Sequence, residues 1–473
     1  MRALHLLYSA RKKGIIFLLL ASIVLSNGCK VAPPPKSAEL QKQAFTHFAL
    51  PSSWKAGNHT SSDTMAEAAN WLSAFNDADL DSLVSEALQY NLDLTIGSTR
   101  IEQSIGYVKM SQSALRPALN VLGRGGTRLG GGDLSAALNG AILAASWEID
   151  LWGRLRNARN ASQVSLAAVQ ADNDFAKLSI AGSVARNWYI ASATYLESKL
   201  ASQMVATSEK ILTIAKQRKE IGIGTEIDVE VAEANLNTMK DGLEQLQLAY
   251  SNQLRALEVL VGRYPAAEIQ VKNELIQLYD TIPAGIPLQI LERRPDVIAA
   301  EKRFAAAFYK VGEAKAARLP TIKLTANFGV IGSDVLALKP SLSNPFGGIG
   351  GSLLAPIYQG GAIKANIEIR TAQQKQAVAE YARVVLNAIV DVENALDNVV
   401  TLVEREKYLI LAVKSNQKAF KLEENLFEIG KTDLRTVTKQ QLDLFATQIL
   451  LLHIQSEKII QRINLYISLG GNM

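Results

Sequence analysis

The sequence predicts an α+β membrane protein in which long α-helical hairpins carry four β-strands, and three observations predict it. The chain repeats itself: Asp93, Arg100 and Pro117 recur at one constant offset as Asp296, Arg303 and Pro320. Gly153, Gly222 and Gly262 then recur as Gly361, Gly430 and Gly470 at an offset five residues longer. Proline is absent from 118 to 264 and after 356, so two very long segments lack the strongest helix breaker. Between the helical segments of each copy lies a stretch with the two-residue period of a strand.

The first element is a leader. Arg2, Arg11, Lys12 and Lys13 precede an uncharged run, Gly14 to Leu25. At about 1.5 Å per residue that run reaches roughly 18 Å, short of the ~30 Å hydrocarbon core, as in a secretory signal peptide. One cysteine in 473 residues allows no internal disulfide, so Cys29 is free or modified. Leu25-Ser26-Asn27-Gly28-Cys29 resembles a bacterial lipobox, although its leucine lies one place too far upstream. The resemblance implies cleavage after Gly28, a lipid on Cys29 and outer-membrane lipid as a partner. The proline-rich Val31 to Lys36 would then act as a tether.

In the first copy a helix is expected over 82–116 and ends before Pro117. Strands follow over "ALNVLGRGGTR", where Asn120, Arg124 and Arg128 share a face, and over Ala136 to Asp150. Residues 154–221 hold one glycine, Gly182, and no proline, and are rich in helix formers; they predict a helix of roughly 100 Å. After Gly222 a return helix is expected over 225–261. The second copy predicts a helix over 288–319 and a strand "TIKLTANFGV" that sets Ile322, Leu324, Ala326, Phe328 and Val330 against Lys323, Thr325, Asn327 and Gly329. A weaker strand over Phe346 to Tyr358, a long helix over 362–429 and a return helix over 431–469 complete it. Pro117, Gly153, Pro320 and Gly361 mark the strand–helix junctions. The expected organisation is leader 1–28, tether and N-terminal segment 29–81, first repeat 82–261, connector 262–287 and second repeat 288–473.

Four strands of about 10 to 14 residues are long enough to cross a bilayer when tilted, but an open sheet leaves backbone groups unsatisfied in lipid. Closure by several chains follows, and three chains would form a twelve-stranded barrel.

These residues resemble the TolC-like outer-membrane factor family, in its lipoprotein branch serving resistance-nodulation-division efflux pumps. The resemblance rests on "SWEIDLWGRLRN" (146–157), "ILERRPDVIAAE" (290–301), "LLAPIYQGGAIKA" (353–365), "YARVVLNAIVDVENAL" (381–396) and "LGG" (469–471). It implies a homotrimer with a transmembrane β-barrel, a periplasmic helical barrel and an equatorial belt. Its partners would be a periplasmic adaptor and an inner-membrane pump, and its function would be an exit duct for small toxic compounds. The same fold serves type I protein secretion, and a lipid-anchored coiled-coil scaffold is the reading from another class.

The family resemblance also assigns sites. "GIGTEIDVEVAEA" from Gly222 and "GKTDLRTVTKQQ" from Gly430 are similar to its periplasmic turns, which makes Gly222, Thr225, Gly430 and Thr432 the expected docking points for the adaptor. Glu226, Asp228, Asp433, Arg435 and Lys439 are the candidates for closing the aperture. Lys439 stands where the family commonly has Asp.

Composition excludes other classes. Lys and Arg number 50 against 45 Asp and Glu, a formal +5, which does not suggest nucleic acid. His5, His47, His59 and His453 are scattered, so no metal or cofactor is expected. "GRGGTRLGGG" lacks the Gly-Lys-Ser/Thr of a phosphate-binding loop, and no acid, base or nucleophile cluster marks an enzyme.

Overall fold

A computed structural model describes residues 31–47, 51, 53–56, 71–124, 138–277, 293–333 and 345–471. The leader with Gly28 and Cys29, Arg128 and most of both strand-connecting loops lie outside them. The helices are α1 (Ser37–Ala44), α2 (Ala78–Tyr90), α3 (Leu92–Ser113), α4 (Arg154–Glu220), α5 (Glu226–Leu260), α6 (Pro295–Ala316), α7 (Ala362–Glu428) and α8 (Leu434–Ser468). The strands are β1 (Ala118–Arg124), β2 (Leu138–Ile149), β3 (Thr321–Ser333) and β4 (Phe346–Leu354). A short 3-10 helix, Trp71–Phe75, precedes α2.

The segment expected as one helix over 82–116 is two helices. Asn91 takes an extended conformation, with ψ of 130°, and interrupts the helical bonding. Its Oδ1 then accepts from the amides of Asp93 at 2.9 Å and Leu94 at 3.2 Å, capping α3, while its Nδ2 donates to the Leu260 carbonyl. Asparagine favours such a cap because its side chain replaces a missing backbone partner.

Contacts divide the chain into two compact units, one from residues up to His47, Thr99–Gln170 and Ala299–Arg383, the other from Phe48–Ser98, Ala171–Ile298 and Val384 onwards. The first unit contains a four-stranded antiparallel sheet in the order β1-β2-β3-β4. Register sorts its side chains by face. Leu119, Ala145, Ala326 and Ile349 lie in one cross-strand row, and Val121, Leu143 and Phe328 in the next but one. The alternate rows bring Asn120 to Ala144 and Asn327, and Ser146 to Thr325. One face is therefore apolar, and the other mixes polar and small residues with a row of Leu122, Ile142 and Phe346. Leu119, Val121, Phe328, Ile349 and Leu353 are exposed on the apolar face. No helix among the described residues is long and apolar enough to cross a membrane.

The strand-to-helix junction is held by the "SWEIDLWGRLRN" side chains. Asp150 caps α4: its carboxylate accepts from the amides of Leu155 at 3.0 Å and Arg156 at 2.9 Å, and pairs with Arg156 Nε. Gly153 makes the turn with φ of +77°, where a side chain would be strained. Arg154 pairs with Glu148 at 2.7 Å. Trp147 Nε1 donates to the Leu115 carbonyl and Trp152 Nε1 to that of Pro320, tying both proline junctions to this corner. In the same unit Leu40 of α1 is fully buried and Ser37 donates to Glu301.

The second unit has an aromatic core of Trp71, Phe75, Trp188, Tyr189 and Tyr466 with Leu80, Leu257 and Ile463. Along α4 in this unit many packed positions are small: Ala181, Ala185, Ala191, Ala193, Ala201 and Ala215 are buried between larger residues such as Leu178, Trp188 and Ile211. A methyl group at Gly182 would overlap Ile467 Cδ1 of α8. Arg294 of "ERRPD" is buried and held by both oxygens of Asp296, by Asp391 at 3.1 Å and by the Ser468 carbonyl. Buried Glu258 accepts from the amides of Ala267, Glu268 and Ile269 and so fixes the start of the connector.

Asp77 is a second buried hub. It accepts from the Leu80 amide, Trp188 Nε1 at 3.0 Å and Lys272 Nζ at 2.6 Å. Burial pushes its carboxyl up, but the bonds from Lys272, Trp188 and the Leu80 amide outweigh that and hold it below the usual range. A depressed folded value adds stability that is present above the unfolded value of ~3.9 and is lost as pH falls through the folded one. Acidification below ~4 is expected to free Lys272 from α2. A tryptophan fluorescence change in that range, missing in Asp77→Asn, is the check; identical titrations of the two proteins would contradict it.

Candidate functional site at the hairpin turns

Each hairpin turn is built by a glycine at the end of the long helix and a capping residue at the start of the return helix. Gly222 has φ of +77° and Gly430 of +79°, and each amide closes the last turn by bonding back to Lys219 or Phe427. Thr225 and Asp228 form a capping box: the Asp228 amide donates to Thr225 Oγ1 at 3.2 Å, and the Thr225 amide to Asp228 Oδ2 at 2.9 Å. Asp433 caps α8, accepting from the Thr436 amide and hydroxyl, and these bonds hold its carboxyl below the usual range. Alanine at Gly222 or Gly430 is expected to cost about 1–2 kcal/mol, the strain of a left-handed residue with a Cβ. Faster hydrogen exchange confined to the altered turn would register it.

The five aperture candidates thus stand as follows. Glu226 pairs with Lys219 of its own hairpin, Asp228 and Asp433 serve as caps, and Arg435 and Lys439 are exposed. Thr432, beside the Gly430 turn, is half-buried.

A contact that joins the two hairpins near their turns was not among them. Arg218, in the last turn of α4, donates through Nη1 to the Phe427 carbonyl of α7 at 2.5 Å and lies over the Phe427 ring, 4.7 Å from its centroid. Around it Ile211, Ala215, Val229, Phe427, Leu434 and Val437 form a core common to both hairpins. In sequence Arg218 is only a basic residue closing a helix, which the helix dipole favours anyway. Deeper in, Gln441 of α8 donates to Ser208 Oγ and the Met204 carbonyl of α4, and Asn235 of α5 donates to Gln441. Ile221, Ile223, Ile227 and Ile429 stand exposed around the turns.

A sheet with one apolar face and two unpaired edges, on a chain whose longest elements are two helices of 67 residues, defines a channel-type membrane subunit. Residues 83–263 and 286–471 match the outer membrane efflux protein family, and the chain belongs to it. Its place is the outer membrane and its work is efflux. It is similar to the toluene efflux pump outer membrane protein TtgC of Pseudomonas putida, 26% identical over 480 residues, 97% of this chain and 96% of that one. It is also similar to the pyoverdine export outer membrane protein OpmQ of Pseudomonas aeruginosa, 26% identical over 470 residues and 96% of each chain. Among solved structures, the Campylobacter jejuni CmeC outer membrane channel shares the fold with a TM-score of 0.83 at 20% identity, over 94% of each chain.

Proposed function

We propose that three copies of this chain close a twelve-stranded barrel and form the exit duct of a tripartite efflux system. A periplasmic adaptor and an inner-membrane pump would deliver small toxic compounds to it. One observation carries the reading: β1 and β4 are open edges of a sheet whose exposed face is apolar, and such edges are satisfied in lipid only by pairing with further strands. Three copies supply twelve strands.

Internal duplication supports the same reading. Helices α4 and α7 have 67 residues each, α5 and α8 have 35 each, and α3 and α6 have 22 each. Two equal hairpins per copy would make six in the trimer, alternating round a duct. We assign the adaptor to the turns at Gly222 and Gly430, where the exposed isoleucines offer apolar contact, and closure to the residues beside them. Cys29 would carry lipid, and the domains would follow the expected bounds, with α2 extending the first repeat back to Ala78.

Planar-bilayer conductance of the full-length protein, with its mass in detergent, tests the proposal. A trimer that carries ions is expected. A monomer that leaves the bilayer silent would overturn the duct in favour of a scaffold. Co-purification with an ATP-driven exporter instead of a proton-driven pump would move it to protein secretion.

A further inference from the structure

Two unused charge stripes near the turns match one another. On α5, Glu230, Glu233, Asp241 and Glu244 are exposed, and no ion pair within the chain engages them among the described residues. Their spacing of three, eight and three residues sets them on one side of the helix. On α7, Lys407, Lys414, Lys418 and Lys421 repeat every three, four or seven residues and are likewise exposed. Lys407 and Lys421 have only local partners, Glu404 and Glu424 on the same helix.

Both stripes face away from the packing inside the chain. Helix α5 buries Val229, Ala232, Leu236 and Met239, centred about 120° round the helix from the acids at 100° per residue. Helix α7 holds α8 through Glu406 to Lys458 and through Asn416 to Thr447, at a similar angle from the lysines. Helix α8 in turn holds α4 and α5 through Gln441. Helix α5 thus packs on α4 and α8, and α7 on α8 and α4, while the charged sides of α5 and α7 are left exposed within the chain.

Their heights agree. The two turns lie close together, since the Arg218 guanidinium that bonds Phe427 is also 3.6 Å from the Cβ position of Gly430. Counted from the helix ends at Glu226 and Glu428, Glu230 and Lys421 stand about four and seven residues in, Glu233 and Lys418 about seven and ten, Glu244 and Lys407 about eighteen and twenty-one. Each pair is level to within about 5 Å, inside the joint reach of a lysine and a glutamate side chain. Rotation about a closed cyclic axis carries no translation, so residues level in one copy are level with their counterparts in the next.

We propose that the lysine stripe of α7 meets the acidic stripe of α5 of a second copy, so that each seam between copies is an antiparallel charge zipper that sets register. This rests on the trimer proposed above and names its contact. An isolated exposed pair contributes little, but several pairs in register, repeated at each seam, exclude slipped arrangements in which like charges meet.

Full-length protein in detergent tests it. If wild type is a monomer, the trimer reading falls and the zipper with it. If it is a trimer, Lys418→Glu or Glu233→Lys alone should speed subunit dissociation about tenfold, and the two together should restore it, since every seam then carries the swapped pair. Raising salt to ~1 M, where screening sets in beyond ~3 Å, should weaken wild type and swap alike. A Lys418→Cys, Glu233→Cys chain should give covalent dimers and trimers on oxidation, beyond those of the protein with Cys29 alone. Stable trimers in which neither reversal speeds dissociation and the cysteine pair links no copies would overturn the zipper and leave the trimer standing.

Discussion

Arg294→Met should leave the protein unable to form a stable fold in its second unit, with a loss of about 3–5 kcal/mol. Arg294 is buried and bonds two carboxylates and the Ser468 carbonyl. Methionine fills the volume but leaves Asp296 charged and unpaired, which costs more than the bonds themselves contribute. Arg294→Lys keeps the charge yet cannot grip Asp296 with two nitrogens, so an intermediate loss is expected. Thermal unfolding with protease susceptibility near residue 294 reads both variants. A melting temperature unchanged in Arg294→Met would show that the cluster is dispensable.

Arg218→Ala should open the turns while leaving the fold intact. It removes one bond to a backbone carbonyl and one cation–ring contact, together about 1–3 kcal/mol. If the hairpins part there when the duct opens, that difference multiplies the open population by roughly 5 to 150. Single-channel recording should show a correspondingly higher open fraction, and Arg218→Lys should fall between because a lysine cannot stack as a flat cation. Intact trimers with an unaltered open fraction would exclude Arg218 from closure.

How far the fold was legible depended on how local its causes are. Pro117, Gly153, Gly222, Pro320, Gly361 and Gly430 act on their own backbone, so the long helices begin and end within a residue or two of where they were expected. Strand β3 alternates by itself and was plain. Strand β2 was obscure because Ile142 and Ala144 put apolar atoms on both faces; only pairing with Asn120, Asn327 and Thr325 shows which face carries polar residues. The break at Asn91 was hidden, since asparagine within a helix is unremarkable until its side chain is seen to cap the next one. At the turns the sequence marked Thr225 for docking and Asp433 for the aperture, and only the structure shows both as helix caps. Arg218 was not marked, because its partner lies 209 residues away.

The alanines along α4 have a consequence for calibre. Helices packed through Ala and Gly approach to the short end of the 8–10 Å range, and Gly182 admits Ile467 with no slack. In the duct proposed above the circumference would be the sum of such spacings, so residues that never touch the cargo would set the bore. One methyl group added at Gly182 would be added in every copy, and the ring would widen, skew or fail to close. Evolution of a wider or narrower passage in such a protein is therefore to be sought among its smallest buried side chains before its lining.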